Sequence, residues 1–195
     1  MKKIVVPTLG FMLMTSSLYA DVCSSKLKYD FTFYGAEDKS YIVTKNTFKT
    51  ATSNFPNEKL LNATLSIDTL SIDTSADMSN QNSKWPAAMA TVRDNNIKNS
   101  FFKLFEKNQD KIDVKIVKIE ASSMNLEFSI NGVTKVIPFT YKVEANTIKA
   151  KGKLDVLDFG VAKAWEQLSI IAKSFHHGKS WSEIDINFEV PASCK

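Results

Sequence analysis

Between Leu27 and Phe33 apolar residues take every second place: Leu27, Tyr29, Phe31 and Phe33 alternate with Lys28, Asp30 and Thr32. A period of two sends one set of side chains to one face of a strand and the other set to the opposite face. The chain repeats this pattern almost to its end. Strands are predicted over Tyr41–Thr50, where Ile42, Val43 and Phe48 supply β-formers, and over about Lys59–Thr69. In the second half they are predicted over Ile112–Ile119, Met124–Ile130, Val133–Val143, Thr147–Val156 and Trp181–Val190. Two apolar residues adjoin at Ile116-Val117 and the alternation changes phase there, which is the mark of a bulge or sharp bend. Asn131-Gly132 is a hairpin signal. Pro138 inside its strand points to an edge or a second irregularity. Polar loops are expected at Gly35–Ser40, Thr52–Asn57 and Ser75–Ser83.

The period changes twice. After Trp85-Pro86, the run Ala87–Val92 has helix-forming residues with Pro86 in the first turn, and Met89, Val92 and Ile97 share one face of a short helix reaching Lys98. A second helix is predicted over Gly160–Lys173, capped by Asp158. There Val161, Ala164, Trp165, Leu168, Ile171 and Ala172 follow helical spacing, and His176-His177-Gly178 ends the segment. The pattern therefore predicts a mainly β protein of eight antiparallel strands with two short helical insertions. Eight strands can close into a barrel just wide enough for one small ligand, and closure removes exposed strand edges. A two-sheet sandwich fits the same alternation.

The first residues do not belong to that pattern. Lys2-Lys3, an apolar run from Ile4 to Met14, and Ser16-Ser17-Leu18-Tyr19-Ala20 read as a signal peptide over residues 1–20, cleaved after Ala20. The apolar run is shorter than the ~20 residues a membrane span needs, so no stable membrane insertion is expected after cleavage. Residues 21–195 are then one domain. Loss of Lys2 and Lys3 lowers the formal charge from +4 to +2. With that modest charge and a single arginine, Arg93, the chain gives no nucleic-acid signature. Cys23 and Cys194 stand at the two ends of the mature chain, and in an exported protein they suggest a disulfide that clamps the termini.

Catalytic and metal readings find little support. Adjacent His176 and His177 point to different sides of most backbones, and no Cys, Asp or Glu stands at ligand spacing from them. Their bland reading is a polar helix end. Asp68 and Asp73 fall in a doubled motif, Ser66-Ile67-Asp68-Thr69 and Ser71-Ile72-Asp73-Thr74, whose residue types suit turns and hydrogen bonds. No nucleophile elbow, phosphate loop, dinucleotide fingerprint or Cys-x-x-Cys occurs. Neither an enzyme nor a bound cofactor is expected. Arg93 could make a bidentate pair with a carboxylate or meet a polar head group; a surface ion pair is the plainer alternative.

The aromatic inventory, 13 Phe, 5 Tyr and 3 Trp, exceeds what a solid eight-stranded interior needs. The surplus could line a cavity, with Leu65, Ile67, Phe128, Ile130, Phe139, Tyr141 and Leu154 in the wall and Phe101, Phe102 and Phe105 at the mouth. Plain core packing competes for each of them.

Ser71-Ile72-Asp73-Thr74, followed by Arg93-Asp94, Ile97 and Phe101-Phe102, resembles the YceI-like family of bacterial periplasmic lipid-binding proteins. The resemblance extends more weakly from about Lys26 to the C-terminus. It implies a lipocalin-like antiparallel barrel rather than a sandwich, with a long isoprenoid chain in its interior. The expected function is an exported, non-enzymatic binding protein for an isoprenoid or quinone-like lipid, carried or stored in the periplasm. The ligand site expected on this reading is the wall and mouth set above, with Arg93 near the polar head. The alternative is an interaction module whose helices dock a protein partner or a membrane face. Secretion beyond the periplasm and homodimer formation stay open.

Overall fold

The computed structural model describes residues 22–79 and 89–193. The expected signal peptide, Trp85-Pro86 and Cys194 lie outside the described residues. The described residues form one curled antiparallel sheet and two α-helices. The strands are β1 (Lys28–Gly35), β2 (Tyr41–Phe48), β3 (Ala51–Asn54), β4 (Thr64–Asp68), β5 (Ile72–Asp73), β6 (Lys111–Ile119), β7 (Ser123–Ile130), β8 (Val133–Glu144), β9 (Thr147–Asp155) and β10 (Glu183–Pro191). The helices are α1 (Met89–Ser100) and α2 (Ala162–Ala172).

Ten strands replace the eight expected, because two predicted strands are each broken. The first, Tyr41–Thr50, ends at Phe48 and resumes as β3 across a segment expected to be loop. The second starts later than predicted, at Thr64, and is interrupted by a 3-10 turn at Thr69–Ser71 before β5. Asp68 causes that interruption: its carboxylate accepts from the Leu70 N–H at 2.8 Å and caps the turn. Local side-chain capping of this kind competes with the sheet ladder.

The pairing order is β3-β4-β6-β7-β8-β9-β10-β1-β2-β5. Its two ends are the continuations of β2 and β4. Across the breaks, the Asp68 N–H donates to Thr50 O at 3.0 Å and the Lys49 N–H to Ser71 O at 2.9 Å. The curled sheet thus meets itself along an interrupted seam. The expected bulge is present, with a register shift between Ile116 and Lys118. Ile130 pairs with Val133 across the Asn131-Gly132 turn, both turn residues having positive φ. Pro138 pairs with Asn125 of β7, while the ladder to β9 begins only at Phe139.

The second helix starts at Ala162, not Gly160. Asp158 does not cap it; Val161 is the N-cap and makes no side-chain bond. The capping carboxylate in this region is Asp155, which accepts from the Leu157 N–H at 3.0 Å and nucleates a 3-10 turn at Val156–Phe159. Gly160, with φ of 68°, then supplies the left-handed step into α2.

Candidate functional site

Inward-facing side chains behave differently at the two ends of the curled sheet. Met124 on β7, Phe139 on β8, Ile148 and Ala150 on β9 and Val190 on β10 are all buried and packed against one another's strands. Phe139 lies across Gly152, where a Cβ would come within 2.5 Å of the ring. Absence of a side chain at Gly152 is what lets the ring close this end. Towards α1 and α2 the interior opens into a cavity of about 230 Å³.

The cavity lining is almost wholly apolar. Tyr29, Phe31 and Phe33 come from β1, Ile112, Val114 and Ile116 from β6, Leu126, Phe128 and Ile130 from β7, and Ile184, Ile186 and Phe188 from β10. Phe31, Phe33, Ile184 and Ile186 face inward by the period of two, yet they are only part-buried because empty space lies before them. The lining continues to Leu27, Phe55, Leu60 and Ala63.

The two helices and the loop after α1 cover the other end. Phe101, Phe102 and Phe105 form a three-ring cluster with centroids 5.0–5.6 Å apart, and Phe101 meets Trp165 of α2 edge-on at 6.1 Å. Asn131 fixes this cover to the β7–β8 hairpin. Its Oδ1 accepts from the Glu106 and Lys107 N–H groups at 2.8 and 3.0 Å, and its Nδ2 donates to Phe159 O at 3.2 Å. One turn residue therefore holds the aromatic loop and the approach to α2 in register.

The Ser-Ile-Asp-Thr and Arg-Asp elements meet at the start of α1. Thr74 is fully buried; its N–H and Oγ1 both donate to Asp94 Oδ1, at 3.0 and 2.7 Å. The neighbouring Arg93 reaches Asp77 Oδ2 at 3.4 Å, and Asp77 Oδ1 accepts from the Thr44 N–H at 2.8 Å. These contacts pin α1 over the sheet. The copy of the motif that touches Arg93-Asp94 is therefore Ser71–Thr74. In the other copy, Thr69 Oγ1 donates to Gln109 O at 2.7 Å. Asp68 and Asp73 each cap a local turn, with Asp73 accepting from the Ser75 N–H.

A polar corner stands at the helical end of the cavity. Arg93, Asn96, Tyr34, Tyr41, His176 and Ser180 all line it. His176 is buried between the rings of Phe33 and Tyr41, and its Nδ1 lies 2.7 Å from Ser180 Oγ. Burial first, then the positive charges of Arg93 and His177, lower its pKa to about 4, so the ring is neutral at pH 7. The Tyr34 hydroxyl donates to Asp185; burial, followed by that carboxylate, pushes its pKa up to about 12.

Of the expected site residues, Leu65, Ile67, Arg93, Phe101, Phe102, Phe105, Phe128, Ile130 and Leu154 line the cavity. Phe139 and Tyr141 do not. Phe139 belongs to the packed end, and the Tyr141 hydroxyl turns away to donate to Glu120 O at 2.7 Å. His176 is expected at a polar helix end, and in the structure it is buried and lines the cavity. Helix α2 ends at Ala172, and the turn that follows carries His176 beneath Gly35, with the Ala36 N–H donating to His176 O at 2.7 Å. Only the unusual His-His pair signalled it in the sequence. The part-buried faces of β1 and β10 were legible as strands but carried no sign that they front a void.

The fold has relatives among solved structures. A polyisoprenoid binding domain from Saccharophagus degradans implicated in plant cell wall breakdown aligns over 89% of this chain and 97% of its own, at 12% identity and a TM-score of 0.54. Burkholderia cenocepacia BcnA aligns over 89% of this chain and 100% of its own, at 18% identity and a TM-score of 0.52. At these identities the likeness is one of fold. No curated protein matches the chain in sequence. The model of the YceI-like domain matches residues 24–192, nearly all of the described sheet and both helices, and the chain belongs to that family.

Proposed function

We propose that the protein is an exported, non-enzymatic carrier that holds one long apolar ligand, of isoprenoid or quinone-like type, inside its sheet. The observation that carries this reading is the apolar cavity of about 230 Å³ beneath α1 and α2. An interaction module would have no need to leave Phe31, Phe33, Ile184 and Ile186 facing empty space. Each CH₂ moved from water into such a lining contributes ~0.8 kcal/mol, so a chain of a few isoprene units needs no polar anchor for affinity. Membership in a family of binding proteins, and the polyisoprenoid binding of the Saccharophagus degradans domain, support the same ligand class.

Native mass spectrometry of the mature protein, purified without detergent, tests the reading. A co-purifying lipid with an isoprenoid fragmentation pattern is the expected result. An apo mass that takes up neither added isoprenoids nor quinones would move the assignment to an interaction module.

Export to the periplasm by residues 1–20 and a Cys23–Cys194 bridge belong to the same proposal. Cys23 is fully buried, and its N–H donates to Pro191 O at 2.8 Å, three residues before Cys194. A bridge closing so long a loop contributes ~4–5 kcal/mol in the chain-entropy model. Cys23→Ser should therefore lower stability by about 2–5 kcal/mol in denaturant titrations under oxidising conditions. The same titration run in reductant should erase the difference; equal stability in both conditions removes the bridge.

A further inference from the structure

His176 reaches the cavity from β1. A Cβ placed on Gly35 would come within 2.8 Å of the His176 Cβ, so the root of the side chain lies against that strand. From there the ring stands between Phe33 and Tyr41, two lining residues, with centroids at 5.7 and 5.0 Å. His176 is 9% exposed and lines the cavity itself. Nδ1, the nitrogen nearer the backbone, lies 2.7 Å from Ser180 Oγ. Nε2, at the far side of the ring, meets no hydrogen-bond partner among the described residues. The sealed, unpartnered side-chain polar atoms there are Asn46 Oδ1 and Ser169 Oγ, so Nε2 keeps accessible surface, and what the ring fronts is the cavity. Ser180 decides what Nε2 carries. Its hydroxyl has no other acceptor among the described residues, so the serine proton goes to Nδ1 and the ring's own proton to Nε2. In the opposite tautomer the serine proton would lack a protein acceptor. Burial keeps the ring neutral at pH 7, so the donor comes without a charge.

We infer that the His176 Nε2–H is the hydrogen-bond donor for the polar end of the ligand, and that this end carries an uncharged carbonyl oxygen, as in a ketone, quinone or amide. A carbonyl oxygen only accepts, which suits a group that only donates. A hydroxyl could accept from Nε2 as well, but its own proton would then need an acceptor that this ring does not offer. A purely apolar chain would leave the N–H unmet and forgo one hydrogen bond. The inference rests on the carrier reading above and adds to it the chemistry of the head and the residue that recognises it.

The test uses two uncharged probes of one chain length: geranylgeranylacetone, a methyl ketone, and the hydrocarbon with CH₂ in place of its carbonyl. Each is titrated into the delipidated mature protein at pH 7.5, with the fluorescence of Trp165, which lines the cavity, reporting binding. His176→Met keeps bulk but removes the donor. It should weaken ketone binding about three- to tenfold, the range of one neutral hydrogen bond, and change hydrocarbon binding less than about twofold. His176→Gln, whose side-chain N–H can stand where the imidazole Nε2–H stands, should recover most of the ketone affinity. Two readouts need no variant. The C=O stretch of the ketone bound to wild type should lie at lower frequency than in an alkane solvent, and ¹⁵N NMR of the unbound wild type should find the imidazole proton on Nε2. Equal effects on the two probes in a folded His176→Met protein overturn the inference and leave the carrier reading in place. So does a proton on Nδ1, an unshifted C=O stretch, or a wild type that binds the hydrocarbon alone. Failure of the wild type to bind either probe overturns the carrier reading and this inference with it.

Discussion

Phe139 and Phe31 are both inward-facing phenylalanines of one sheet, and their surroundings differ sharply. Phe139 is 1% exposed, stacked on Phe128 at 6.1 Å and pressed against Gly152. Phe31 stacks on Phe48 at 5.6 Å but leaves its other side to the cavity. The chemistry of the two side chains is the same, so the difference comes from what stands opposite. At the Phe139 end the facing positions are Met124, Ala150 and Gly152, a mixture of large and small residues that interdigitate. At the Phe31 end Phe31, Phe101, Phe102 and Phe105 line one cavity, and the space between them is left unfilled. Packing to full density is a property of one end of the molecule and is withheld at the other.

The largest test of that contrast is a matched truncation. Phe139→Ala should cost about 3–5 kcal/mol, since it removes a fully enclosed ring and leaves a void its neighbours cannot fill. Phe31→Ala in the ligand-free protein should cost under about 2 kcal/mol, because part of that ring's surface already lacks partners. Urea unfolding of both variants reads the difference directly. Equal losses would mean the cavity end is packed as tightly as the floor.

A second contrast is electrostatic. His176 is a titratable group held neutral at the hollow end, with a pKa near 4 against an ordinary value of 6.5. Its folded-state pKa is depressed, so the unfolded chain binds the proton first. The corresponding stability is complete above about pH 6.5 and is lost as pH falls towards 4. That slice amounts to at most about 3 kcal/mol. The gap in unfolding free energy between wild type and His176→Gln should therefore shift by that order between pH 7 and pH 4, with the wild type losing more. A gap independent of pH would place the imidazole in water rather than between Phe33 and Tyr41.

Much of this fold was legible because its signals are local. Alternation in Leu27–Phe33 or Ile184–Val190, the Asn131-Gly132 turn and the phase change at Ile116-Val117 each depend on a few adjacent residues. What escaped depends on competition or on distance. Asp68 looks like any strand-end acid until its carboxylate is seen to cap Leu70 and cut one strand into two. Thr52 and Ser53 read as loop because they are polar, but β3 is exposed on the sheet's outer edge and needs no apolar face. The cavity wall was partly foreseen, since Leu65, Phe128 and Leu154 sit on inward faces. Phe139 shows the limit: its place in the wall or the floor turns on Gly152, thirteen residues away and on another strand. His176 was missed as a site residue because an inward histidine is defined by the elements that fold over it.

The smallest expected effect in the free protein is the most telling for the comparison. In a filled interior an added ring forces strain of about 1–3 kcal/mol, so Ile148→Phe, at the packed end where Ile148 is 3% exposed, should cost that much. Ile184 faces the cavity from β10, opposite Leu154 in the ladder. Ile184→Phe adds similar bulk to space that is empty, so its unfolding free energy should stay within about 0.5 kcal/mol of wild type, the added dispersion contacts offsetting the ring's lost rotamer freedom. The same ring would occupy volume a lipid chain needs, and uptake of geranylgeraniol should fall. Near-neutral stability with reduced uptake is the combination that separates a cavity kept for a ligand from a core that is merely loose. If Ile184→Phe costs as much as Ile148→Phe, the interior behaves as one solid core and the contrast between its two ends fails.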